Sequence, residues 1–214
     1  MPKLSDADTL KLMRKYRIPY PVYSIVKTED ECVKKANSIG YPIALKIVSK
    51  DIVHKTESGG IEIGLENEKE VRFAFKKIMA NVKRKQPRAK IDGVLVQQMI
   101  SGHETIIGAN YDPQFGPVIM FGLGGIFVEV MKDVTFRLIP VERKDVQEMI
   151  KEIKGYKILQ GVRGEKAVNI KAIEDFLLKV SKMIEKEKKI KELDLNPVFV
   201  SSKGAVAVDA RIII

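Results

Sequence analysis

Cysteine is nearly absent from this sequence, tryptophan wholly so, and only two histidines occur in 214 residues. The one cysteine, Cys32, cannot form an internal disulfide and leaves no cysteine-based zinc cluster. No apolar run approaches the roughly 18 residues that span a bilayer. The opening stretch MPKLSDADTLKLMRKY is polar and helix-like, without the apolar core of a secretory signal. The common nucleotide signatures are missing too: there is no GxxxxGK[S/T] and no GxGxxG in a dinucleotide setting. These absences point to a cytoplasmic globular protein, outside the disulfide-stapled, membrane-spanning and zinc-finger classes.

Charge, by contrast, is plentiful. The chain carries a formal net charge of +10, with 31% charged and 45% hydrophobic residues, enough apolar material for a real core in one domain or two joined subdomains. The lysines are spread along predicted helices, not gathered in one basic arm, and no aromatic stacking motif interleaves with them. Nucleic-acid binding is therefore not expected. The excess suits either a solvated lysine-rich surface or the handling of ATP, acyl phosphates and coenzyme A.

Periodicity predicts an α+β chain of mixed helices and antiparallel strands. Ser5 reads as the N-cap of a helix over about 5–16, and Thr28 as the cap of EDECVKKANSIG, closed by Gly40. Val71, Ala74, Phe75, Ile78 and Val82 share one face of a helix over 67–84. YPIALKIV, IEIGL, GVLVQQMI, ETIIGANY, GPVIMFG, IFVEV and VTFRLIPV read as strands. Further helices are expected near 143–153 and 170–187, before the terminal strands IKELDLNPVFV and AVAVDARIII. The polar junction NVKRKQPRAKIDG is expected to divide two lobes, residues 1–92 and 93–214.

Within ELDLNP, Glu192, Asp194 and Asn196 alternate with Leu193 and Leu195, so three oxygen-bearing side chains project from one strand face. With the turn at SSKG, Val200 faces Ala205, Asn196 faces Asp209 and Asp194 faces Arg211. Directly opposed side chains stand roughly 5 Å apart at Cβ, close enough to share a hard cation such as Mg2+. The same pattern also fits an ordinary polar outer face, and a slip of one residue would invert it.

Lys46 closes the strand IALKI, where its ammonium can neutralise phosphate or simply reach solvent. Gly59 and Gly60 allow backbone to approach a phosphate, or form a flexible turn. His54 lies on the same loop and is either a nucleophile or a hydrogen-bonding loop residue. Gly122, Gly124 and Gly125 mark a ligand-admitting loop or a tight turn, with Glu129 alternating against Val128 and Val130. His103 reads as a surface residue.

Taken in order, HKTESGG, VLVQQMISGHETIIGANYDPQFGPVIMFGLGGIFVEV, and LNP followed by DAR resemble the ATP-grasp fold. The specific likeness is to the β subunit of ADP-forming acetyl-CoA synthetase (acetate–CoA ligase), a relative of succinyl-CoA synthetase. The resemblance covers nearly the whole chain. It implies two α+β lobes with the nucleotide between them, and a reversible reaction of acyl-CoA, ADP and phosphate giving acid, ATP and CoA. By the same resemblance Lys46 is the ATP-phosphate lysine, and Val96, Gln97, Gln98 and Met99 are the adenine hinge. Glu104 is the acidic residue reaching the ribose or nucleotide, and Asn196 and Asp209 hold Mg2+ with Asp194 and Arg211 beside them. His54 is implied to be a second phosphohistidine, relaying phosphate to ADP from a histidine on a CoA-binding α subunit, in an α2β2 assembly. Two other readings are an ATP-grasp carboxylate–amine ligase and a nucleotide-sensing, non-catalytic subunit of a protein acetyltransferase.

Overall fold

The computed structural model of the chain describes residues 2–52, 54–162 and 164–214, with backbone only at 126, 127 and 129. The first half runs α1 (Asp6–Lys15), β1 (Tyr23–Val26), α2 (Glu29–Ile39), β2 (Ile43–Val48), β3 (Ile61–Leu65), α3 (Glu68–Lys85) and β4 (Gly93–Gln98). The second half begins with β5 (His103–Asp112), β6 (Gly116–Leu123), α4 (Ile126–Met131), β7 (Val134–Leu138), α5 (Arg143–Glu152) and α6 (Tyr156–Leu159). It closes with α7 (Ile170–Lys186), β8 (Glu192–Ser201), β9 (Gly204–Ala207) and β10 (Arg211–Ile213).

The described chain forms two compact units, Pro21–Met99 and residues 1–20 with 100–214. This grouping differs from a division at 92/93 for two physical reasons. β4 lies between β1 and β2, so residues 93–98 are hydrogen-bonded into the smaller unit's sheet. The opening residues belong instead to the larger unit. The Leu4 N–H donates to the Ile212 carbonyl at 2.8 Å, the Ala207 N–H donates to the Pro19 carbonyl at 3.1 Å, and Met13 is 1% exposed in that unit's core.

The smaller unit is an antiparallel sheet in the order β1-β4-β2-β3. Ile43, Leu45 and Ile47 of β2 join Val94 and Val96 of β4 in one core with the helices α2 and α3. Burial of each such side chain contributes about 1.5–3 kcal/mol. α2 starts at Thr28 because its hydroxyl accepts from the Glu31 N–H while Glu31 returns to the Thr28 N–H, a capping box. α3 buries Val71, Ala74, Phe75, Ile78 and Val82, the stripe read from the sequence.

The larger unit's sheet runs β10-β8-β5-β6-β7, with β9 also paired to β8. Phe121, Met149, Ile150, Phe176 and Leu177 are buried together in its core. At its edge, the buried Asp133 accepts from the N–H groups of Lys154 and Gly155, at 2.7 and 2.8 Å. A Cβ at Gly155 would stand 2.1 Å from Leu123 Cδ1, so any larger residue there would have to displace the Leu123 side chain.

IFVEV is not a strand. β6 ends at Leu123, Gly125 takes φ +59°, and the chain coils into α4 before β7 resumes. A β-branched run has strand propensity, but tertiary context decides the outcome. The alternation read for Glu129 therefore does not apply, and its side chain lies outside the described residues. α6, a single four-residue turn, is too short to show a helical period. No helix among the described residues is long and apolar enough to cross a membrane.

Candidate functional site

The C-terminal hairpin folds in the register read from the sequence. Val200 pairs with Ala205 and Val198 with Ala207, the Val208 N–H donates to the Pro197 carbonyl at 3.1 Å, and Asp194 pairs with Arg211. The strand pairing lapses over residues 208–210 and resumes in the same register, which brackets Asn196 and Asp209 between the two paired stretches. On the other side of β8, Thr105 pairs with Val198 but Ile107 with Leu195, so two residues, Asn196 and Pro197, oppose one. Such a bulge bends the strand. Leu195 and Val198 both stay in the core while Asn196 is exposed.

Glu192, Asp194 and Arg211 meet on the half-buried face. The Arg211 guanidinium donates to Glu192 Oε1 at 2.5 Å and lies 3.7 Å from Asp194 Oδ2. The closer ion pair is thus the diagonal one, not the directly opposed Asp194–Arg211 pair. Burial pushes the Asp194 carboxyl above its ordinary value; Arg211 opposes the shift, while Glu192 and Asp209 add to it. Asp209 Oδ1 accepts from the Ala210 N–H at 2.9 Å, which fixes its orientation. The carboxylates of Asp194 and Asp209 with the Asn196 amide oxygen are a donor set of the kind that suits a hard cation. Among the described residues, no group of three or more His, Cys, Asp and Glu side chains is arranged to hold a metal. An ion here would complete its shell with phosphate and water oxygens, the habit of Mg2+.

In the smaller unit, β2 is buried at every position and Lys46 is 7% exposed. Alternation sends Ile43, Leu45 and Ile47 into the helix-covered core, so Lys46 takes the opposite face. Its neighbours across the ladder are Ile61 on β3 and Leu95 on β4. Gln97 shares that face and is 1% exposed, whereas Val96 is in the core. Because β4 is flanked by β1 and β2, the backbone of Val96 and Gln97 serves the sheet ladders. The Gln98 N–H donates to the Val22 carbonyl and the Met99 N–H to the Pro42 carbonyl.

His54 is exposed at the start of a hydrogen-bonded turn. Its carbonyl accepts from the Ser58 N–H at 3.2 Å, and the Lys55 carbonyl accepts from the Gly60 N–H and the Ser58 hydroxyl, both at 2.8 Å. Both glycines are required. Gly59 has φ +67°, and a Cβ at Gly60 would lie 2.5 Å from Ile47 Cγ2. Asp51, His54, Glu57, Ser58, Lys85 and Gln86 line a hollow of about 330 Å³. The sequence offered no local signal for Lys85, which comes from the far end of α3.

In the larger unit, Glu104 is exposed at the start of β5, and its carbonyl accepts from the Gly124 N–H at 2.8 Å. A Cβ on Gly124 would stand 3.0 Å from that of Glu104, so the glycine makes room for the Glu104 backbone and Cβ. His103 is not a plain surface residue. It is half-buried, with Nε2 3.3 Å from a Glu165 carboxylate oxygen.

Comparison with known proteins covers the chain end to end. The ATP-grasp domain model matches residues 2–214. The chain is 46% identical to the acetate–CoA ligase [ADP-forming] I subunit β of Pyrococcus furiosus, covering 99% of this chain and 91% of that one. Identity to the II subunit β of the same organism is 50%, over 98% of this chain and 90% of the other. A solved structure of dinucleotide-forming acetyl-coenzyme A synthetase 1 from Ca. Korarchaeum cryptofilum, in complex with coenzyme A, Ca-AMPCP and HgCl+, superposes with a TM-score of 0.96 at 45% identity. It spans 100% of this chain and 93% of that one. With a buried lysine on β2, a glycine-backed histidine turn and an acidic terminal hairpin, the chain belongs to the ATP-grasp family, alongside the β subunits of ADP-forming acetate–CoA ligases.

Proposed function

We propose that this chain is the ATP-grasp subunit of an ADP-forming acyl-CoA ligase of the acetate–CoA type. With a CoA-binding partner it converts acyl-CoA, ADP and phosphate reversibly into carboxylic acid, ATP and CoA. The observation that carries this reading is the likeness to two acetate–CoA ligase β subunits along almost the whole chain. The alternative of an amine-ligating enzyme has no use for a histidine on a glycine-backed turn. A purely sensing subunit has no use for an intact set of acidic hairpin oxygens.

In this reading Lys46 supplies a fixed positive charge to the nucleotide phosphates, and the Gly59–Gly60 backbone allows close approach. The end of β4, from Gln97 to Met99, meets the base, and Glu104 the ribose. Asn196, Asp209 and Asp194 hold Mg2+, while Arg211 keeps the acidic side chains in place. Bound Mg2+ supplies charge neutralisation and alignment of the phosphates. His54 acts as the nucleophile. One imidazole nitrogen forms an N–P bond as the N–P bond to the partner's phosphohistidine breaks. The phosphoryl then passes to a terminal oxygen of ADP and the His54 lone pair is restored. Splitting one long transfer into two in-line steps gives each its own proximity advantage. CoA binding and the first phosphohistidine belong to the α subunit of a cytoplasmic α2β2 assembly.

The test is reconstitution: chain, CoA-binding partner, acetyl-CoA, ADP, Mg2+ and phosphate should yield ATP. Failure to form ATP with any acyl-CoA and a competent partner rejects the ligase. Full activity in His54→Ala rejects only the relay.

A further inference from the structure

The relay leaves unexplained how the His54 turn tolerates a phosphoryl group. A phosphoryl on an imidazole nitrogen brings close to two negative charges. The hollow that His54 lines already holds two carboxylates, Asp51 and Glu57. Asp51 is fixed in place, its Oδ2 accepting from the Lys90 N–H at 2.7 Å, so it does not move away from an incoming anion. The cation lining the same hollow is Lys85, in the last turn of α3. Its ammonium donates to the Glu57 carbonyl at 2.6 Å, which brings the charge to the turn that begins at His54. The turn is also seated on α3 beneath it, where a Cβ on Gly59 would meet the Asn81 side chain at 2.9 Å.

Resting on the relay reading, we propose that Lys85 is the positioning residue of the phosphorylated turn. Its ammonium, held over the hollow by the Glu57 carbonyl, takes the phosphoryl oxygens on His54 and offsets Asp51 and Glu57. An ammonium has three donors, so it keeps the carbonyl contact while donating to phosphate. Without Lys85, three anionic groups share one hollow when His54 is phosphorylated, and none of that repulsion exists when it is not. The effect therefore falls on the phosphorylated state alone. Exposure to solvent limits its size, so about tenfold is expected, in the range of a charge-assisted contact.

The experiment loads the full chain from the nucleotide side. With [γ-32P]ATP and Mg2+, His54 forms an N–P bond as the bond to the ADP leaving oxygen breaks, and the displaced imidazole proton goes to water. Acid-labile label on the chain is then read at equilibrium, and its decay is followed after nucleotide removal. Lys85→Gln is expected to lower the labelled fraction about tenfold and shorten the half-life of the label. Lys85→Arg should restore most of it, and Glu57→Gln should raise it a few-fold. Melting temperature and nucleotide affinity should stay unchanged, which a merely structural role for Lys85 would not allow. Equal labelling of Lys85→Gln and the unaltered chain overturns the proposal while leaving the relay intact. An unaltered chain that takes no label, or a His54→Ala chain that takes it fully, overturns the relay and this inference with it.

Discussion

Lys46 and His54 stand eight residues apart in the sequence, yet they occupy opposite kinds of environment. Lys46 is on a strand buried at all six positions, clamped between β3 and β4. His54 is exposed, on a turn stitched by local hydrogen bonds and seated on one helix. In the proposed function the difference separates two chemical tasks. A charge that stabilises phosphate in every step gains from a rigid, pre-aimed mount, because it needs no reorganisation. In the proposed relay, a nucleophile that takes phosphate from one group and passes it to another needs an accessible mount instead.

The comparison breaks most visibly at the nucleophile. His54→Ala should lower ATP formation with the partner by at least about a thousandfold, as loss of a covalent intermediate removes the only path. Nucleotide affinity, measured by calorimetry, should change less than about twofold. Lys46→Met should do the reverse, weakening ADP binding by about ten- to a hundredfold, the cost of a lost charge-assisted phosphate contact.

The hairpin, the proposed Mg2+ site, offers a third contrast. Asp209→Asn should raise the Mg2+ concentration needed for half-maximal nucleotide binding about tenfold and leave the metal-independent affinity alone. Gly60→Ala tests the mount of the histidine itself. The added Cβ collides with Ile47, so about 1–3 kcal/mol of stability should be lost, read by thermal unfolding.

The smallest effect is expected at an ion pair that joins α1 to the end of α7. Glu187 accepts from Lys15 and Tyr16, and these bonds hold its carboxyl below its ordinary value. A lowered folded-state pKa contributes stability that is present above the unfolded carboxylate pKa and is lost as pH falls through the folded one. Glu187→Gln should therefore melt a few degrees lower at pH 7, with the gap closing as the pH drops below the usual carboxylate range.

The helices and the hairpin were legible because their signals are local. The stripe Val71, Ala74, Phe75, Ile78 and Val82 states its own period, and Val200 opposite Ala205 follows from a short turn. The register set by that turn also recurs beyond the gap at 208–210, where Asp194 pairs with Arg211. What the sequence concealed depended on distant partners. The first 20 residues join the larger unit through backbone bonds to Ile212 and from Ala207, which no local pattern encodes. IFVEV turned helical because β6 had already ended. Glu192, not Asp194, is the closer partner of Arg211, since diagonal reach depends on side-chain length as well as register. Lys85 reaches the histidine turn across 31 residues of sequence, counted from His54.

The relay is tested most directly by rapid quenching of a single turnover, starting from a phosphorylated CoA-binding partner with the full chain and ADP. Phosphate should appear on His54 before it appears in ATP, then disappear at the rate at which ATP forms. ATP formed at the full rate while His54 carries no phosphate at any time point would contradict the relay outright.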